Sequence, residues 1–258
     1  MVSRETPGSP PTLPAWLVPA TGGLTAFADL LSGDGVTRGL IGPREVPRLW
    51  ERHLLNCAVV ADPDQGLLSP GAQVVDVGSG AGLPGLVWAI ARPDVRLTLV
   101  EPLLRRSTFL TEAVDQLGLS DRVMVWRGRA EDASRELAPA DVVTARAVAP
   151  LERLLGWTVP LLRQGGRLVA LKGSSASQEV ADAAGVIAAV GLVEVSVLEV
   201  GSGVVDPPTT VVTGLRRPSG SPGTTQGRRD DDGRPPRARR PPARGSGVAH
   251  GRARRCFP

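Results

Sequence analysis

The residues whose types and spacing carry the most chemistry are the run DVGSGAGLPG, Asp76 to Gly85. It stands where a short apolar run, VVDVG, gives way to a helical stretch. Glycines at such a junction let backbone N–H groups approach a ligand closely, and the start of the following helix favours a nucleotide-like group. The glycines fall at Gly78, Gly80, Gly82 and Gly85, and Leu83 takes the place of the third glycine of the dinucleotide pattern G-x-G-x-x-G. Asp76, two residues before the first glycine, would repel a pyrophosphate but suits a ligand with a cationic amino-acid portion. Glu101 ends the next apolar run, 23 residues after Gly78, where a carboxylate can accept both hydroxyls of a ribose.

Taken together, Asp76, Gly78, Gly80 and Glu101 favour S-adenosyl-L-methionine over a nicotinamide dinucleotide. Farther along, RGRAED places Ala130 and Glu131 just past the third apolar run, where a backbone amide near Ala130 can read an adenine edge. Three cations or near-cations remain as candidates for positioning a substrate. Arg146 follows the fourth run. Lys172 ends the fifth and is the only lysine in the chain. His53, the only histidine before residue 250, is balanced between a packing role and a contact to RNA or to a base edge. Arg52 and Arg106 join these on the same expected rim, whereas Trp50, Trp88, Trp126 and Trp157 read as packing residues and Cys57 as an inert one. No Cys or His triad can be assembled, and two Cys with two His supply neither a disulfide framework nor a four-ligand zinc site, so no metal is expected.

These residues need elements to hold them. Seven strand-like runs follow one another: Val74 to Gly78, Arg96 to Glu101, Arg122 to Gly128, Asp141 to Val148, Gly166 to Gly173, Val193 to Val200 and Thr209 to Arg217. The first five are separated by helix-length segments, as parallel β-α-β crossovers require. The last two are joined by only Gly201 to Pro208, which predicts an antiparallel final strand. Ahead of them, Leu24 to about Ala61 is helical in pattern, punctuated by Pro43 and Pro47. The expected organisation is a flexible N-terminus over 1–20, a helical cap over 21–72, a Rossmann-like α/β domain over 73–215 and a disordered tail over 216–258.

Of 258 residues, 41% are hydrophobic and 22% charged, values of an ordinary globular chain with a sizeable core. The longest apolar run, Ala183 to Val193, is far short of a membrane span, and no secretory signal pattern opens the chain, so a cytoplasmic protein is expected. Charge is unevenly placed. From Arg216 onward there are twelve Arg against three Asp, whereas the rest of the chain is mildly acidic. Such a tail can add phosphate contacts to a polyanion; equally, the near-exclusive use of Arg over Lys throughout reads as coding bias.

The order and spacing of ERHLLNC (Glu51 to Cys57), DVGSGAGLPG, GRAED (Gly128 to Asp132), TARAVAPL (Thr144 to Leu151) and ALKG (Ala170 to Gly173) resemble the bacterial small-subunit ribosomal RNA guanine-N7 methyltransferases, the glucose-inhibited division protein B family. The likeness covers about residues 24–215, and GLIGPREVPRLWERHLLNC is similar to actinobacterial members in particular, although Asn56 stands where Asp is frequent. The resemblance implies a class I methyltransferase fold: a seven-stranded mixed sheet with its last strand antiparallel and a helical cap. It implies cofactor contacts by Gly78, Leu83, Ala130, Glu131 and Arg146. It also implies a substrate guanine in a decoding-centre loop of 16S RNA, met as naked RNA or as the 30S particle, with no membrane partner and no oligomer required. Outside the resemblance, the same cofactor loop could serve a methyltransferase acting on a small molecule or a protein, or a module that only senses its ligand.

Overall fold

A computed structural model describes residues 10–146 and 148–218. The expectation of a disordered tail falls, from residue 219 on, outside the described residues. Seven strands form one sheet: β1 (Gln73–Val77), β2 (Arg96–Val100), β3 (Val123–Trp126), β4 (Ala140–Arg146), β5 (Leu162–Lys172), β6 (Leu192–Val200) and β7 (Thr209–Arg216). Their order is β3-β2-β1-β4-β5-β7-β6, parallel except for β7, which is antiparallel to both neighbours, as the short Gly201–Pro208 connection requires. β5 starts four residues earlier than its apolar pattern suggests. Leu162 pairs with Ala140, the register then slips, and Arg167 pairs with Val142. The polar residues of this irregularity hide the strand's beginning from a pattern-based reading. The last strand also keeps Arg216, paired with Leu192, inside the sheet.

The crossovers run through α3 (Gly85–Ala91), α4 (Leu104–Gln116), α5 (Ala130–Glu136), α6 (Leu151–Thr158) and the short pair α7 (Ala176–Asp182) and α8 (Ala184–Ala189). Because successive side chains on a strand point to opposite faces, β1 sends Val74 into one core and Val75 and Val77 into the other. The second core is closed by Ala133 of α5 together with Leu151, Leu154 and Leu155 of α6. The first is closed by α3, α4 and the cap, whose Leu24, Phe27, Leu31, Leu49 and Leu54 share one apolar cluster with Trp88, Phe109 and sheet residues Leu97 and Val169.

The cap begins earlier than composition suggests. Residues 15–20 wind into a 3-10 turn that buries Leu17 completely, and Leu13, Trp16 and Ala20 pack against the same core, so apolar anchors outweigh the surrounding prolines. α1 (Thr21–Leu30) follows and lies so near α3 that a Cβ on Gly23 would meet Ile90 Cγ2 at 2.8 Å. A 3-10 turn, Pro43–Arg48, then leads into a continuous winding that is π-type over Trp50–Leu55, α-type over α2 (Asn56–Ala58) and 3-10 over Val59–Ala61. Two buried bonds root this winding in the layer beneath it. Trp88 Nε1 donates to Cys57 O at 2.8 Å, and Arg92 Nη1 donates to Ala61 O at 3.2 Å. Arg92 also forks onto Asp94, with Nε to Oδ1 and Nη2 to Oδ2 both at 2.8 Å. The guanidinium and the Gly71 amide hold the Asp94 carboxyl at about 2.

Candidate functional site

The chain runs from β1 outward through β2 and β3 and then returns to place β4 on the other side of β1, so the crossovers diverge at the carboxyl ends of β1 and β4. An open α/β sheet leaves a crevice at such a reversal. Here it is a cavity of about 630 Å³ walled by Gly78, Gly80, Leu83, Glu101, Ala130, Glu131, Arg146 and His53, all eight anticipated from sequence. The structure adds Leu40 and Ile41 from the cap, Ser79, Leu103, Val148, Trp157 and Arg129.

Gly78 has φ +70°, and a Cβ there would meet Val148 Cγ2 at 3.0 Å, so the loop's approach to the cavity depends on glycine at this point. Glu101 is 2% exposed and organises the rim. Its Oε2 accepts from Gly80 N and its Oε1 from Leu103 N, both at 3.0 Å. Each carboxylate oxygen keeps a further lone pair for a ligand hydroxyl. Ala130, the first residue of α5, presents backbone and a methyl group rather than a reactive side chain.

Asp76 is placed differently from its neighbours. It does not line the cavity but lies fully buried under the glycine loop. Its Oδ2 accepts from Gly85 N at 3.1 Å, while Oδ1 has no partner among the described residues. Thr144, its register partner on β4, has an equally unpartnered Oγ1. Burial raises the Asp76 carboxyl to about 7. An unsatisfied buried carboxylate oxygen beneath a glycine loop is the environment that a cationic group above the loop would relieve.

Arg146 ends β4 and reaches back to the cap. Its Nη2 contacts His53 Nδ1 at 2.8 Å and donates to Arg52 O at 3.2 Å, and its Nη1 donates to Cys57 Sγ at 3.2 Å. On the other edge of the His53 ring, Nε2 lies 2.9 Å from Glu45 Oε2. A guanidinium can only donate, so Nδ1 is bare and the ring proton sits on Nε2, facing the carboxylate. Burial, then the Arg146 charge, holds the His53 pKa below the ordinary histidine value, and the bond to His53 holds Glu45 below the usual carboxylate range. Burial pushes the Cys57 thiol up, so the sulfur is a neutral acceptor.

Arg146 and Val148 also line a second, adjoining groove of about 980 Å³, shared with Arg48, Arg52, Asn56 and Lys172. Lys172 therefore belongs to the groove rather than to the cavity, and its ammonium is already engaged. Nζ donates to Ala149 O and to Glu179 Oε2, both at 2.7 Å. Glu179 in turn accepts from Leu151 N at 2.9 Å and Ser175 Oγ at 3.0 Å. Among the described residues there is no group of three or more His, Cys, Asp and Glu that could hold a metal ion, and no helix is long and apolar enough to cross a membrane.

Sequence reasoning missed Glu45, Arg129 and the lining role of Trp157. Glu45 precedes His53 by eight residues on a separate turn, a spacing that carries no periodic signal. Arg129 sits inside GRAED, one residue before the pair singled out, and that motif was its only available signal.

Likeness to solved structures supports the fold. An O-methyltransferase family protein from Burkholderia thailandensis superposes with a TM-score of 0.50 at 18% identity, covering 76% of this chain and 63% of that one. The mitomycin 7-O-methyltransferase MmcR gives 0.50 at 21% identity, covering 79% and 69%. Sequence relatives are far nearer. The ribosomal RNA small subunit methyltransferase G of Streptomyces avermitilis is 59% identical over 186 residues, which is 72% of this chain and 76% of the relative. The protein of the same name from Mycolicibacterium gilvum is 49% identical over 218 residues, 84% of this chain and 93% of the relative. The family model described as GidB, rRNA small subunit methyltransferase G, matches residues 21–205, a span that contains every wall of the cavity and all of the groove but Asp206, Pro207 and Thr209. With that match and those identities, the chain belongs to the GidB family of rRNA small subunit methyltransferases.

Proposed function

We propose that this enzyme transfers the methyl group of S-adenosyl-L-methionine to N7 of a guanine in a decoding-centre loop of 16S rRNA, acting in the bacterial cytoplasm. The observation that carries the reading is the junction at Arg146. There a cavity with the features of an adenosylmethionine site opens beside a groove bordered by Arg48, Arg52 and Lys172. The residues present fit the cofactor. Gly78 allows backbone approach, Glu101 offers lone pairs to ribose hydroxyls, Ala130 and Glu131 line the wall that would take the adenine edge, and the orphaned Asp76 Oδ1 supplies negative charge below the loop.

When bound, the cofactor supplies a sulfonium-activated methyl group. The chain's own residues then have three tasks. Glu101 and the glycine loop fix position, since each carboxylate oxygen ties the loop or the start of α4 by one backbone bond. Ile41, Leu83, Leu103 and Val148 line the cavity with apolar surface that displaces water from the reacting atoms. Arg146 brings a cation to the boundary where substrate meets cofactor. Guanine N7 carries an in-plane lone pair and no proton, so no residue need act as a general base, and alignment and electrostatics supply the barrier reduction.

The test is methyl transfer from labelled S-adenosylmethionine to 30S particles from a strain lacking this gene, followed by nucleoside mass spectrometry of the 16S RNA. New N7-methylguanosine that depends on the enzyme is the expected result. Cofactor binding without label on RNA would overturn the substrate and turn attention to a small-molecule or protein acceptor.

A further inference from the structure

We propose that His53 is a positioning residue. Its Nδ1 lone pair, with the ring anchored from behind by Glu45, holds the Arg146 guanidinium across the boundary between cavity and groove. The proposal rests on the functional reading of those two spaces given above.

All three acceptors of Arg146 are neutral: an imidazole nitrogen, the Arg52 carbonyl and the Cys57 thiol. No carboxylate pairs with it among the described residues, so the guanidinium is oriented without being neutralised. Three of its five N–H donors face the cap, leaving two for a ligand. An orienting carboxylate in place of His53 would fix the side chain equally well but would cancel the charge that an RNA phosphate or a guanine oxygen requires. The carboxylate instead sits behind the ring, on its far edge. Glu45 Oε2 accepts from Nε2–H at 2.9 Å and so enforces the tautomer that leaves Nδ1 bare.

The same arrangement makes the hold dependent on pH. The charged groups facing the ring are Glu45 and Arg52 from the cap and Arg146 from β4. A second ring proton would remove the acceptor and set imidazolium against guanidinium, so acid releases Arg146. At saturating cofactor, where the Asp76 charge that aids cofactor binding no longer limits the rate, kcat should therefore carry an acid limb that belongs to His53, positioned below the ordinary histidine value.

Two substitutions separate this role from simple packing. His53→Asn keeps an acceptor oxygen near the Nδ1 position, whereas His53→Gln keeps a polar end near Nε2 and loses that acceptor. Methyl transfer to 30S particles would be followed for both between about pH 5.5 and 8.5, with calorimetry for cofactor affinity. Expected for His53→Gln is a loss in kcat of about ten- to a hundredfold, larger than the accompanying loss of cofactor affinity, since Arg146 also lines the cavity. His53→Asn should recover most of that loss and abolish the acid limb. Equal impairment of the two variants, or an acid limb of kcat at saturating cofactor that survives in His53→Asn, would overturn the proposal.

A readout independent of turnover is the imidazole nitrogen spectrum of the unloaded protein. It should show the Nε2–H tautomer, with the Nδ1 resonance moving in Arg146→Ala. A proton on Nδ1, or no response to Arg146→Ala, would refute the hold. That spectrum decides the matter even if the parent enzyme transfers nothing to rRNA, a result that would sink the proposed function alone.

Discussion

Replacing Asp76 by Asn should make the protein more stable and bind its cofactor less well. Asp76 is fully buried, its Oδ1 has no partner among the described residues, and burial raises its carboxyl from 3.8 to about 7. Between those two values the unfolded chain is ionised while the folded chain still holds the proton, so unfolding releases a proton and stability falls as pH rises through the window. At 1.36 kcal/mol per pH unit, the unfavourable contribution is a little below ~2 kcal/mol at pH 5 and a little above ~4 kcal/mol at pH 8, above which it no longer grows. Asn is nearly isosteric, can accept from the Gly85 amide through its oxygen, and carries no charge to desolvate. Urea unfolding of both proteins at pH 5 and pH 8 should thus show the variant ahead, by an amount that widens by about 3 kcal/mol between the two conditions. Calorimetry at pH 8 should show S-adenosylmethionine affinity down by about tenfold or more, from loss of the negative charge beneath the loop. A stability difference that does not change with pH, or a variant less stable at pH 8, would refute the reasoning that burial of a charge dominates this site.

Gly78→Asp should reduce cofactor affinity by at least about a hundredfold in calorimetry, because φ +70° disfavours the side chain, Val148 crowds its Cβ and a carboxylate enters the cavity wall. Lys172→Met leaves Glu179 half-buried without its cation and should cost about 3 kcal/mol in urea unfolding, with part of it restored by adding Glu179→Gln. If the stable double variant then binds rRNA with an unchanged salt dependence, Lys172 is structural and makes no phosphate contact. Removing residues 219–258 should make the salt dependence of RNA binding shallower, by about 0.7–0.9 in log–log slope for each phosphate that the tail neutralises, and an unchanged slope would dismiss the tail from binding. The cut belongs after Pro218, because Arg216 is a paired residue of β7 and donates from Nη1 to Leu162 O.

Much of this site was legible because its chemistry is local. Gly78, Gly80 and Leu83 belong to one turn, Glu101 lies at the end of the next strand, and a parallel β-α-β unit brings consecutive strand ends together by construction. All seven strands show as apolar runs for the same reason, with the irregular start of β5 the main error of extent. What stayed hidden depends on side chains reaching across elements. The residue type of Lys172 suggested a phosphate ligand, and only Glu179, seven positions later on a separate helix, reveals a committed ion pair. Asp76 carried the right charge and position in the chain, yet its side chain turns beneath the loop toward Gly85. Arg146 was visible as a strand-end cation, but its acceptors lie 89 to 94 positions earlier in the chain, a distance over which no spacing rule operates.

The way the cap is rooted bears on how such an enzyme can change over evolutionary time. A cap that rested on the sheet through a polar seam could be exchanged wholesale, and acceptor specificity could be swapped as a module. Here Leu24, Phe27 and Leu54 are part of the same apolar cluster as Trp88 and Leu97, and Trp88 and Arg92 bond directly to carbonyls of the cap's second winding. Deleting the cap would uncover apolar surface of α3, α4 and one face of the sheet, and replacing it would require re-fitting α3 and α4 together. If the groove receives the acceptor as proposed, a new acceptor is met by changes at positions such as Arg48, Arg52 and Asn56, which line it without carrying the scaffold.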